Sequence, residues 1–382
     1  LFLHGDLPLG GDQPRQSAAD YRRLLAASTG LPQTLVARNL DKLYFVLTHM
    51  DEIFRGLTLG LPPAVLDAGV GEQHGLLVSY LAQTEALGVV LPSNSPGVNS
   101  LWLPAIALKI PVWLKPGREE PWTPLRLIRA LIAAGCPAAA FGFYPTDHEG
   151  AEALLRGCGR AIIFGDTQTV ARYASTPAVQ VHGPGFSKIL LGDDVVDQWP
   201  DYLELLARSV ADNGGRSCIN ASTIIVPRHG RALAEALATR LATLIPRAPD
   251  DPAAALAAFA NPAVAEGIDR TLNADLATPG AVDCSLAARA GSPRRQSTEW
   301  GHFLLPTVIW CERPDHPLAR REFLFPFVSV VEMPTAQALP WLGPTLVLSA
   351  ITNDPALRAR LLGLPQVDRL NLGALTTSSV RW

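Results

Sequence analysis

Apolar residues fall at helical spacing from Ser17 to Leu61, as in Tyr21, Leu24, Leu25 and then Leu43, Phe45, Val46, Ile53 and Phe54, which predicts a helical N-terminal part. From Gly88 the period changes. Short apolar runs (Val89-Val90-Leu91, Val112-Trp113-Leu114, Ala138 to Phe143, Ala161-Ile162-Ile163-Phe164) alternate with helical stretches near Leu101 to Leu108, Leu125 to Ala134 and Ala151 to Leu155. Strands and helices in that order predict a parallel, doubly wound sheet. A second αβ series starts near Asp193. It holds a helix from Asp201 to Ala211, a strand around Ile225, an alanine-rich helix from Arg231 to Leu244, and strands near Val308 and Val328. The Ala/Pro-rich stretch between Pro246 and Pro262 reads as a surface connection with a short helix. The tail has two strand-like pieces and a helix from Pro355 to Leu362. The expectation is an α/β chain in three parts: 1–192, 193–345 and a segment 346–382 that returns to the first domain or meets another subunit.

Composition narrows the partners. The 382 residues carry 32 basic and 35 acidic side chains, a net charge of −3, with no basic block, so a nucleic-acid partner is not expected. The five cysteines form no C-x-x-C pair and read as reduced thiols of a cytoplasmic protein, not as a disulfide frame or a zinc site. Prolines 92, 96, 104, 340 and 344 interrupt the longest uncharged stretches, so no membrane span is expected. The chain opens on Leu1 with no basic-then-apolar leader, and its natural start is expected upstream.

Candidate chemistry centres on Cys218, in Asp212-Asn213-Gly214-Gly215-Arg216-Ser217-Cys218-Ile219-Asn220-Ala221-Ser222. A cysteine on a glycine-loosened helix-to-strand bend, two residues from a cation, is placed to be a partly ionised nucleophile. Asn94, in Pro92-Ser93-Asn94-Ser95-Pro96 after a strand, either donates its amide to a developing oxyanion or bonds its own turn. Lys115, one of four lysines, ends an apolar strand and either meets a ligand's ribose or phosphate or is a solvated surface lysine. The turn His182-Gly183-Pro184-Gly185 suits close approach to a ligand and equally a plain tight turn. No G-x-G-x-x-G follows any of these strands.

Taken in order, these segments resemble the aldehyde dehydrogenase superfamily from about Gly88 to Arg381. Pro92-Ser93-Asn94-Ser95-Pro96 looks like its P-W-N-F-P element, which implies an oxyanion role for Asn94. Lys115-Pro116 is similar to the K-P-S-E cofactor element, Phe164-Gly165-Asp166-Thr167 loosely resembles F-T-G-S, and Cys218 falls at the nucleophile. Glu322-Phe323-Leu324-Phe325-Pro326 looks like E-I-F-G-P, whose glutamate holds the nicotinamide ribose. The implied fold has a cofactor domain, a catalytic domain and a small oligomerising β element, in homodimers or homotetramers.

Two departures refine the resemblance. Where hydrolytic members carry the water-activating glutamate of E-L-G-G-K-S, this sequence has His182. Its His182-Gly183-Pro184-Gly185 and its cysteine segment are similar to those of CoA-acylating members and acyl-CoA reductases, including the fatty-acid reductases of bacterial bioluminescence. Arg118 stands where K-P-S-E has its glutamate; arginine pairs with a 2′-phosphate, favouring NADPH over NADH. The resemblance therefore implies reduction of an acyl-CoA or acyl-carrier thioester to an aldehyde. Cys218, Asn94 and His182 would be catalytic, Lys115, Arg118, Phe164, Gly165 and Glu322 would hold the cofactor, and CoA would be a co-substrate. The rivals are a hydrolytic aldehyde dehydrogenase with His182 as base, a Cys/His acyltransferase or thioesterase that uses no nicotinamide, and a silent oligomeric scaffold.

Overall fold

The computed structural model describes residues 2–10, 15–58 and 60–379, which divide into two compact units. One comprises the residues up to Thr29 and Val36–Gly183; the other comprises Gly30–Leu35 and the chain from Pro184 on.

The first unit opens with helix Ala18–Thr29, the part of helix Gln33–Thr48 from Val36 on, and helix Met50–Leu57, whose buried residues include Tyr21, Leu25, Leu43, Val46, Ile53 and Phe54. Its sheet runs in the order Phe141–Phe143, Val112–Lys115, Leu87–Val90, Arg160–Phe164, Val179–His182, with every pair parallel. The chain thus adds strands to one side of Leu87–Val90 and then crosses to the other. The crossing leaves a crevice beyond the carboxyl ends of Leu87–Val90 and Arg160–Phe164, where ligands bind in such sheets. Helix His148–Gly157 packs closely on this sheet, since a Cβ on Gly88 would lie 2.8 Å from Leu154 Cδ2.

The second unit holds a seven-stranded sheet in the order Ala281–Asp283, Thr307–Cys311, Phe327–Glu332, Thr223–Val226, Lys188–Leu191, Thr345–Ile351, Val367–Leu372. Only Ala281–Asp283 pairs antiparallel. Strand residues alternate between two cores: Ile189, Leu191, Ile224, Val226, Val328 and Val330 face one, while Leu190, Ile225, Phe327 and Val331 face the other. Both faces are covered, which is why these strands read as unbroken apolar runs.

The division falls at Gly183/Pro184 rather than after residue 192, because Lys188–Leu191 pairs in register with both Thr223–Val226 and Thr345–Ile351. The tail strands Thr345–Ile351 and Val367–Leu372 extend the second unit's sheet. The stretch 246–261 contains no helix and is not a surface connection. Ala254, Leu256, Ala257, Ala258 and Phe259 are buried. Its backbone is instead satisfied by distant segments: Ala258 N–H donates to Gly30 O at 2.8 Å, and Phe259 N–H to His302 O at 2.7 Å. Helix formation starts only at Pro262, where Asn261 caps Pro262–Leu276 by accepting from Ala263 N–H at 3.0 Å. No helix among the described residues is long and apolar enough to cross a membrane.

Candidate active site

The Cys218 segment follows helix Leu203–Ala211 through a reversal in which Asn213, Gly214 and Gly215 all take positive φ (55°, 65° and 69°). Side chains rarely tolerate that conformation, and at Gly215 there is also no room: a Cβ would lie 2.3 Å from Phe325 C and Pro326 N. Asn220 ties off the loop. Its Oδ1 accepts from Ser217 N–H at 2.9 Å, and its Nδ2 donates to Ser209 O at 3.1 Å and Asp212 O at 3.0 Å.

Cys218, partly buried, sits on this loop at the amino end of strand Thr223–Val226. Three other segments lie at amino ends of the same sheet, and the first two reach Cys218. Gly185–Ser187 leads into Lys188–Leu191, Glu322 lies ahead of Phe327–Glu332, and Pro344 precedes Thr345–Ile351. Ser187 Oγ donates to Cys218 O at 2.8 Å. The Glu322 carboxylate accepts from Gly185 N–H at 3.1 Å and from Phe186 N–H. Burial, helped by the charge of Glu322, pushes the Cys218 thiol up to about 11. Burial likewise raises Glu322 to about 7, against the pull of the two N–H groups and Lys188.

Burial and the Glu322 charge thus both work against the partly ionised thiol that the sequence suggests. Arg216, the cation assumed to help it, instead donates to Ala258 O and lies 5.1 Å over the Phe259 ring. Of the sequence candidates in this unit, Cys218 and Glu322 come together.

In the first unit the candidates lie along the carboxyl edge of the five-stranded sheet. Asn94 is in the turn after Leu87–Val90, Lys115 ends Val112–Lys115, and Phe164 and His182 end neighbouring strands. The His182 ring stacks on Phe164 at 4.9 Å and 21°, and Gly165 N–H donates to His182 O at 3.0 Å. The turns after the first two strands are bolted together, since Glu119 N–H donates to Ser93 Oγ at 3.2 Å and a Cβ on Gly117 would fall 2.5 Å from Pro92 O. The Lys115 ammonium is lowered by burial and then by Arg118, against the pull of Glu119 and Asp147, so two cations share this edge.

A profile of the aldehyde dehydrogenase family matches residues 72–340. The chain belongs to that family. An aminoacetaldehyde dehydrogenase of Pseudomonas aeruginosa is 31% identical over 260 residues, covering 64% of this chain and 49% of the relative, so the chain spans about half that protein's length. An α-ketoglutarate semialdehyde dehydrogenase of Haloferax volcanii is 27% identical over 329 residues, covering 78% of this chain and 66% of its own. Two solved structures share the aldehyde dehydrogenase fold. A γ-glutamyl-γ-aminobutyraldehyde dehydrogenase from Burkholderia cenocepacia has a TM-score of 0.75 at 19% identity, covering 94% of this chain and 73% of its own. A succinic semialdehyde dehydrogenase from Streptococcus pyogenes, in complex with NADP+, has a TM-score of 0.75 at 15% identity, covering 94% and 78%.

The donor set at the first unit's carboxyl edge fits the nicotinamide dinucleotide of an aldehyde dehydrogenase. An ammonium and a guanidinium beside one another suit ribose hydroxyls and a phosphate. The start of helix Thr167–Tyr173 does not take part as an anion site, because the Asp166 carboxylate already accepts from Thr169 N–H there at 2.9 Å. Among the described residues no group of three or more His, Cys, Asp or Glu could hold a metal ion.

Sequence reasoning missed Ser187, Lys188 and Asn220. Asn220 left a signal two residues past the cysteine. The signal for Lys188 was a lysine opening the apolar run Ile189-Leu190-Leu191, a place where a charge must have partners.

Proposed function

We propose that this chain is a thiol-dependent oxidoreductase that interconverts an acyl thioester and an aldehyde, working in the reductive direction with NADPH. The observation that carries the reading is the convergence of Gly185, Ser187 and Glu322 on Cys218, together with His182 at the position of the water-activating glutamate.

Cys218 attacks the acyl carbonyl, forming the S–C bond as its proton leaves, and the carrier thiol departs protonated. The Asn94 amide is the proposed oxyanion donor, on the strength of its motif alone. Lys115 and Arg118 would hold the cofactor's ribose and 2′-phosphate, and Phe164 and Gly165 would help to hold it, by their motif. When bound, NADPH is the source of the hydride that reduces the thioacyl carbon. Glu322 is the proposed ribose contact by its motif, and His182 the proton donor. Without a carboxylate at position 182, a thioacyl enzyme lives long enough to exchange with CoA. Assembly as a dimer or tetramer is part of the same proposal.

A second reading, hydrolytic oxidation of an aldehyde with NAD(P), is favoured by the names of the relatives and by a carboxyl group beside Cys218 that titrates near neutrality. One experiment separates the two. The protein is incubated with a graded set of acyl-CoAs and NADPH or NADH, and separately with aldehydes and NAD(P)+ with and without CoA. Aldehyde and free thiol from acyl-CoA, lost in Cys218→Ala, support the proposal. Acid formed from aldehyde with no need for CoA overturns it in favour of hydrolysis.

A further inference from the structure

Lys188 is 3% exposed, and its ammonium has three protein acceptors. Nζ donates to Phe186 O at 2.6 Å, Thr345 Oγ1 at 2.9 Å and Pro344 O at 3.4 Å. Packing alone asks for no charge here, since removing an ammonium from water costs several kcal/mol and a methionine would fill similar space. The shortest of its three bonds goes to the Phe186 peptide. Phe186 has φ 45°, a conformation that a bulky residue adopts only when its surroundings enforce it. Glu322 takes the N–H of that residue and Lys188 takes its carbonyl, so the residue is gripped from both ends.

The turn held in this way is the wall on which the nucleophile rests. Gly185 packs so tightly that a Cβ there would lie 2.0 Å from Cys218 O. Ser187 Oγ donates to that same carbonyl, and Ser187 O accepts from Ser222 N–H at 2.9 Å. We propose that Lys188 is a positioning residue for Cys218, acting through the Phe186 carbonyl to fix the Gly185–Ser187 turn, with Glu322 as its counterpart on the N–H side. This role rests on the reading of Cys218 as nucleophile and adds to Glu322 a function separate from cofactor contact.

The test is Lys188→Met in the full chain, with hydrogen–deuterium exchange and steady-state kinetics measured together. Exchange in the peptide covering 216–222 rises about tenfold, the scale of one lost hydrogen bond, while the remote helix Gly230–Leu241 stays as in the parent. At the same time kcat falls about tenfold with KM for the cofactor within a factor of two, the signature of a misplaced nucleophile. Unchanged exchange at 216–222 with unchanged kcat in a folded variant overturns the proposal. Glu322→Gln, which alters no volume, repeats the exchange measurement without cofactor; it must loosen the same peptide, and overturns the proposal if it does not. Should the parent show no turnover, the function reading fails while the exchange arm still decides the positioning role.

Discussion

Ser187 donates its hydroxyl to the carbonyl of Cys218 at 2.8 Å, a bond between residues 31 apart that locks the Cys218 loop to the turn beside it. Ser187→Ala leaves that acceptor with one partner fewer. The expected cost is about 1 kcal/mol of stability, read as a lower urea midpoint, together with a fall in kcat. A variant with the parent's midpoint and rate would remove Ser187 from the site.

Gly185→Ala is expected to be far worse. The backbone there is not left-handed, so the obstacle is space. The new methyl group would sit 2.0 Å from Cys218 O, and two main chains must part to admit it. The predicted loss is about 3 kcal/mol, with iodoacetamide labelling of Cys218 altered, as peptide mass spectrometry will show. Normal stability and labelling would mean the two segments are not in contact.

Glu120 supplies a pH dependence. It is 1% exposed and accepts from Thr123 N–H at 2.9 Å, while the Thr123 hydroxyl lies 2.6 Å from that of Tyr21. Burial raises its carboxyl from 4.5 to about 8. The folded state thus holds this proton more tightly than the unfolded chain does. The stabilisation is fully present below about 4.5 and is lost as pH climbs through about 8. Glu120→Gln removes the proton from the balance, so its urea midpoint should change less than the parent's across that window. Parallel curves would show that Glu120 titrates normally.

Asp283 neutralises two buried arginines at once, with Arg289 Nη2 at 3.1 Å and Arg294 Nη2 at 3.0 Å, and also caps the helix Cys284–Ala288 through Ser285 N–H. Asp283→Ala takes from Arg289 its carboxylate partner and leaves Arg294 with Asp269 alone, at 2.9 Å. The predicted destabilisation is about 3–5 kcal/mol by chemical denaturation, and a loss below about 1 kcal/mol would mean that water or another carboxylate takes over.

Arg118 is exposed beside Lys115 and is the proposed reader of the 2′-phosphate. Arg118→Glu should move the ratio of kcat/KM for NADPH over NADH by at least about tenfold towards NADH, the size of one charge-assisted hydrogen bond. An unchanged ratio would assign the phosphate to another residue.

The strands were legible where burial on both faces left apolar runs, as at Ile224-Ile225-Val226 and Ile162-Ile163-Phe164, and so was their parallel alternation with helices. The hairpins Val70–Gln73/Leu76–Ser79 and Arg295–Thr298/Gly301–Leu304 were not, because strands of only four residues are too short for an alternation to stand out. The segment 246–261 misled because proline and alanine there serve a buried irregular path held by partners far off in sequence. At the proposed site, the sharp reversal before Cys218 was evident from its glycines. The direction taken by Arg216 was not, since a cation two residues from a thiol can turn to any carbonyl within reach. The engagement of Glu322 with Gly185 and Phe186 likewise depends on which strand ends the sheet order brings together, and no local pattern encodes that.

Gly30–Leu35 is stitched into the second unit by Gln33 N–H to Pro249 O at 2.8 Å, by Thr34 Oγ1 to Ala254 O at 3.0 Å across 220 residues, and by Gly30, whose missing side chain admits Ala258 O. This short piece leaves the ribosome long before its docking strip exists. The second unit therefore closes only late in translation, after the first unit's strands have all been made, and the early piece must stay available as a guest until its host arrives.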